Sequence, residues 1–215
     1  MRFIHYSSWG AHLGDLRASR PVRKAVINGE DALTLSTDAR VARGDRLLWS
    51  DGTWHEHVVS AVEESHGELA EVTARASWQH DLRLNYIDQF LAHDVTADYV
   101  LGEILKLTGW EAGEYDDMGN GTVSLVNLTV HQALLEIAGT WGCEIEPEIE
   151  VGSDGVEARR IMLKKRIGAD RGVRFDYRWN MEGVTRSVED EDVFSACYGY
   201  GESTGSTLNG VEQRL

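Results

Sequence analysis

At 215 residues the chain is long enough for one large domain or two small ones, each able to bury a core without disulfide staples. Its 36 acidic and 21 basic side chains give a formal charge of -15, an overall field that opposes a nucleic-acid-binding surface. The start from Met1 to Tyr6 lacks the apolar core of a signal peptide and no run of about 18 apolar residues occurs, so neither export by that route nor a membrane span is expected.

Two prolines and 22 glycines mean that the turns are built from Gly, as in a β-rich chain with many tight corners. Between Val22 and Thr37, Asn28-Gly29 separates two strand-like runs and reads as a hairpin. Asp51-Gly52 does the same between Leu47-Leu48-Trp49 and the run from Trp54 to Val62. Leu69 to Trp78 alternates apolar and polar residues with one phase break, as a half-buried strand would. Residues 1–90 are therefore expected to form a first antiparallel β domain, a small barrel or sandwich.

The period then lengthens. Thr96-Ala97-Asp98 can open a helix whose apolar face is Val100, Leu101, Ile104, Leu105 and Thr108, closed by Gly109 in a left-handed conformation. Thr129-Val130-His131-Gln132 is a capping box for a second helix that runs to Gly142. Glu111 to Gly121, polar and Gly-rich, reads as a loop, and residues 91–143 as a helical insertion or connector. From Glu144 the period returns to two: Ile145, Pro147, Ile149 and Val151 alternate with four glutamates, and Asp154-Gly155 turns the chain into Val156–Leu163. Val173–Tyr177, Val184–Val188 and Val193–Tyr200 supply further strands of a second β domain over 144–201, which need not be complete within this chain. Residues 202–215 read as a flexible C-terminal segment.

The run Ile161 to Tyr177, with its Phe175-Asp176-Tyr177 strand, resembles a segment of the phage minor structural, or prophage endopeptidase, tail family. Asn180 to Asp190, carrying Thr185-Arg186, is similar to that family's next strand, and Tyr198-Gly199-Tyr200-Gly201 to its ending. The N-terminal half matches more loosely, in the order of its elements. The resemblance implies an α+β, mainly β fold similar to phage baseplate hub proteins: two antiparallel β-barrel-like units with a helical insertion. It further implies a homotrimer whose barrels form a ring at the tail tip, with the distal tail protein, tail tube and tape-measure proteins as partners. Synthesis in the host cytoplasm and a place in the virion tail follow, without specific nucleic-acid binding or a membrane. Members of that family usually continue beyond the point corresponding to Leu215, so an activity housed in that region is expected to be absent. If DNA leaves through the ring, a carboxylate-lined channel would repel its phosphates.

Chemical candidates are sparse. His55-Glu56-His57 would put two imidazoles on one strand face, but two ligands do not make a metal site, and none is expected. Cys143 and Cys197 lack the local context of a nucleophile and read as small buried apolar residues. There is no Gly-x-Ser-x-Gly elbow and no His-Glu-x-x-His; Gly199-Tyr200-Gly201 is too short for a phosphate loop. The carboxylates of Glu144–Glu150 and Glu189–Asp192 read as solvated faces. Neither catalytic residues nor a cofactor are expected. The basic cluster Arg159, Arg160, Lys164, Lys165 and Arg166 suits a subunit contact or plain solvation equally, and Trp9, Trp54 and Trp179 suit interfaces as well as packing. The rival readings are a tail-associated peptidase or cell-wall hydrolase, which peptidoglycan or casein assays would reveal, and a carbohydrate- or receptor-binding module, which a glycan array would reveal.

Overall fold

The first half of the chain is shaped by its turns. The computed structural model describes residues 2–168 apart from 66, 107 and 154. Seven strands, β1 (Phe3–Tyr6), β2 (His12–Leu16), β3 (Ser19–Ala25), β4 (Asp31–Thr37), β5 (Arg46–Ser50), β6 (Trp54–Glu63) and β7 (Ala70–Ala76), make one antiparallel sheet in the order β2-β1-β5-β6-β7-β4-β3. Asn28, at φ +53°, turns β3 into β4, and Gly52, at φ +122°, turns β5 into β6, as the Asn-Gly and Asp-Gly pairs predict. The terminal strands β2 and β3 are separated in sequence only by Arg17 and Ala18, so the sheet curls into a half-barrel whose ends meet at that corner. The Thr37 hydroxyl pins the corner by donating to the Arg17 carbonyl at 2.7 Å.

The half-barrel is filled by Phe3, Leu33, Leu47, Trp49, Val59 and Val72. Burial of each such side chain contributes roughly 1.5–3 kcal/mol. Leu48, one residue out of phase, points through the other face and joins a second core with the helices.

The remaining elements are α1 (Ser77–Asp81), β8 (Tyr86–Thr96), α2 (Ala97–Leu105), β9 (Glu111–Tyr115), β10 (Asn120–Thr129), α3 (Val130–Trp141), β11 (Glu144–Gly152) and β12 (Gly155–Lys164). In α3 the capping box forms, Thr129 and Gln132 each satisfying the other's backbone N–H, and Gly142 ends the helix at φ +63°. Val100, Leu101, Leu134 and Ile137 from α2 and α3 pack with Ile161 and Leu163 of β12 in the second core.

Several local expectations change. Trp78 belongs to α1, not to the preceding strand, which ends at Ala76. The connector is not wholly helical: β8 and β10 form an antiparallel ribbon, and the presumed loop at 111–121 contains β9, which pairs in parallel with β12. α2 stops at Leu105, and Thr108, outside the helix, donates its hydroxyl to the Leu105 carbonyl at 2.8 Å. The strands expected beyond residue 168 and the C-terminal segment lie outside the described residues.

Candidate functional site: a cleft between two sheets

The sheet β11-β12-β9 approaches the half-barrel through the β3–β4 hairpin. At its turn the Asn28 side chain imitates a neighbouring strand: its amide donates to the Cys143 carbonyl and its oxygen accepts from the Ile145 N–H, both at 2.8 Å. A second tie is ionic. Arg159 of β12 donates through Nε and Nη2 to the two Glu56 carboxylate oxygens of β6, both at 2.7 Å. Arg46 reaches the same carboxylate at 3.1 Å and forks onto Asp81, which also accepts from the Trp110 indole.

Between these ties lies a cleft of about 460 Å³. Its walls are the tips of two hairpins, β3–β4 and β5–β6, and the strand β11. Arg23 and Asp31 stand on one side, bonded through Nε and Nη2 at 2.8 Å each. Asp31 also meets His57 Nε2 at 3.3 Å, while Trp49 Nε1 donates to His57 Nδ1 at 3.2 Å. That donor fixes the tautomer: Nδ1 accepts and Nε2 carries the proton toward Asp31. Burial alone would raise the Asp31 pKa, but hydrogen bonds from Arg23 and His57 outweigh it and hold the carboxyl well below the usual carboxylate range. His55 contacts Asp51 at 3.0 Å, yet burial and then the Arg23 charge keep its pKa below the ordinary value.

His55 and His57 thus do share a face, with rings 4.5 and 5.9 Å from Trp49, but they turn to different carboxylates. Among the described residues no group of three His, Cys, Asp or Glu could hold a metal ion. Both His57 nitrogens are engaged, Nδ1 by Trp49 and Nε2 by Asp31. The Cys143 thiol is buried, and that burial pushes its pKa up, away from the reactive thiolate.

The basic cluster is largely engaged within the chain. Arg159 grips Glu56, Arg160 pairs with Glu150 at 2.7 Å and Glu148 at 3.4 Å, and Lys164 meets Glu114 at 3.1 Å. Lys165 and Arg166 are exposed. Trp9 is exposed at the β1–β2 turn and Trp54 stands at the cleft rim, whereas Trp49, Trp78 and Trp110 are buried. Cys197, Trp179, Glu189–Asp192 and Gly199-Tyr200-Gly201 lie outside the described residues. Sequence reasoning singled out neither Arg23 nor Asp31, read Glu146 as part of a solvated face where it is half-buried against the cleft, and read Asn28 only as a turn former. The partner of Asn28 is 115 positions away in the chain, beyond any local pattern.

Neither the family models nor the curated proteins include a match to this chain. Among solved structures it is similar to prophage tail protein gp18 from Listeria monocytogenes EGD-e, at 15% identity and a TM-score of 0.62 over 85% of this chain and 56% of that one. It is also similar to the tail protein from Neisseria meningitidis MC58, at 14% identity and a TM-score of 0.52 over 76% of this chain and 50% of that one. The likeness is one of fold, and the chain spans about half the length of each of these proteins.

Proposed function

We propose that this chain is a structural component of a phage or prophage tail, a hub that assembles as a ring, as a homotrimer, and joins the tail tube or distal tail ring to the tip. The observation that carries the reading is the fold likeness to the Listeria prophage tail protein over 85% of the chain. Its partners in this role are the distal tail, tail tube and tape-measure proteins, and its place is the virion tail.

Sedimentation velocity of the purified chain tests the ring: a species of three times the 24.0 kDa protomer mass is expected. A monomer at every concentration, alone and with the distal tail protein, overturns ring assembly. Antibody labelling of induced particles tests the location separately. Label at the tail tip is expected, and particles that carry none overturn the tail role.

A further inference from the structure

The cleft described above has features that the tail reading does not use. Two of its apolar wall residues, Val26 and Ile27, are 55% and 59% exposed, and Trp54 beside them is 37% exposed. Opposite stand Pro147, half-buried, and Ile145 and Ile149 of β11, which belong to the second core and are only 4% and 7% exposed, so the exposed aliphatic surface is that of Val26 and Ile27. Exposed aliphatic side chains grouped around a concavity mark a place where another molecule's apolar groups are covered.

The charges of the cleft are unbalanced. Arg23 is neutralised by its two-pronged contact with Asp31. Glu148 shares Arg160 with Glu150. Glu146 lines the cleft, is half-buried, and its side chain has neither a salt bridge nor a hydrogen bond among the described residues; Lys164, a cation that feels its charge, is itself bonded to Glu114 at 3.1 Å. A carboxylate partly withdrawn from water beside aromatic and aliphatic walls favours a cation. The formal charge of -15 draws cationic groups toward this surface from a distance.

Backbone geometry decides how an occupant can sit. β11 is an edge strand, and an extended peptide could in principle pair with its free side. Asn28 already occupies the Cys143 carbonyl and the Ile145 N–H on that side. The next outward-facing amide belongs to Pro147, which has no N–H to offer. Asn28 and Pro147 therefore disfavour strand addition at the Cys143–Pro147 end of β11, and entry by side chains is favoured there.

We infer that this cleft is a docking site for a peptide segment of another protein that inserts an aliphatic side chain between Ile27, Trp54 and Ile149 and sets an adjacent lysine or arginine against Glu146. The inference is independent of the tail reading, since it rests on the cleft alone.

Nuclear magnetic resonance titration of the full chain, labelled at backbone amides, indoles and isoleucine methyls, tests it with defined probes. N-acetyl-Ile-Leu-Arg-Lys-amide is expected to shift the Trp54 indole and the Ile27 and Ile149 methyls saturably. The Glu-Glu and Gln-Gln counterparts of that probe are expected to bind several-fold more weakly. Glu146→Gln is expected to weaken the basic peptide about threefold to fivefold, the size of a half-exposed charge pair, with the remaining spectrum unchanged. A backbone N-methylated version of the probe is expected to keep its affinity. No saturable shift in the cleft, equal binding of the acidic or neutral peptide, or indifference to Glu146→Gln overturns the site. Loss of binding on N-methylation shows strand addition instead and overturns the inferred mode.

Discussion

His131 sits in the first turn of α3, stacked on Trp78 at a centroid distance of 5.3 Å, and its buried Nε2 has no hydrogen-bond partner among the described residues. Burial first, then the charges of Arg83 and Arg75, lower its pKa to about 4, and the positive end of α3 acts in the same direction. The folded pKa lies below the unfolded one, so protons favour the unfolded chain. This stabilisation is complete above pH about 6.5 and is lost as the pH falls toward about 4. At about 1.4 kcal/mol for each pH unit the ceiling is roughly 3 kcal/mol. His131→Phe, which keeps the stacked ring, is expected to flatten this part of the profile. Urea midpoints from pH 7 to pH 4 check it, and an unchanged slope in the variant would refute the assignment. Asp31 offers a second residue-scale test, because Asp31→Asn leaves the half-buried Arg23 without its carboxylate. A loss of about 2–4 kcal/mol in urea unfolding at pH 7 is expected.

At the scale of elements, the Glu56–Arg159 clamp ties β6 of the half-barrel to β12 of the third sheet. Glu56→Gln leaves two arginines facing one remaining carboxylate, Asp81, and a loss of about 3 kcal/mol is expected. Adding Arg159→Met is expected to restore part of it, since the pair acts as one unit; strictly additive losses in a double-mutant cycle would show that the clamp is not coupled. The same elements show which parts of the fold were legible. The hairpins at Asn28-Gly29 and Asp51-Gly52 and the capping box of α3 depend on neighbours two or three residues away, and local reading found them. The β8–β10 ribbon was invisible because residues at positive φ break the alternation: Asn127, at φ +54°, falls between the core-facing Leu125 and Leu128 of β10, and Asp94, at φ +55°, between Ala92 and Val95 of β8. β9 is polar and exposed, and only its pairing with distant β12 makes it a strand. The cleft was hidden for the same reason, since two of its walls, the β3–β4 hairpin and β11, lie more than 100 residues apart. Both prolines fall on edge strands, Pro21 in β3 and Pro147 in β11, where a missing N–H discourages pairing with other chains.

For the whole molecule, charge is the main obstacle to the proposed ring. Each protomer carries a formal charge of -15, so three copies brought together repel strongly unless salt screens them. The proline-bearing edges make strand pairing at β3 and β11 a poor source of compensating contacts, which leaves apolar faces to hold copies together. Such contacts are little weakened by salt, while the opposing repulsion fades as the Debye length falls from about 10 Å at 0.1 M to about 3 Å at 1 M. Self-association is therefore expected to strengthen as ionic strength rises, with the trimer fraction at a fixed concentration higher in 0.5 M than in 0.05 M sodium chloride. Sedimentation velocity across that range checks it. The opposite trend would mean that ion pairs between copies hold the assembly, and the exposed Lys165 and Arg166 would then be the first cations to replace.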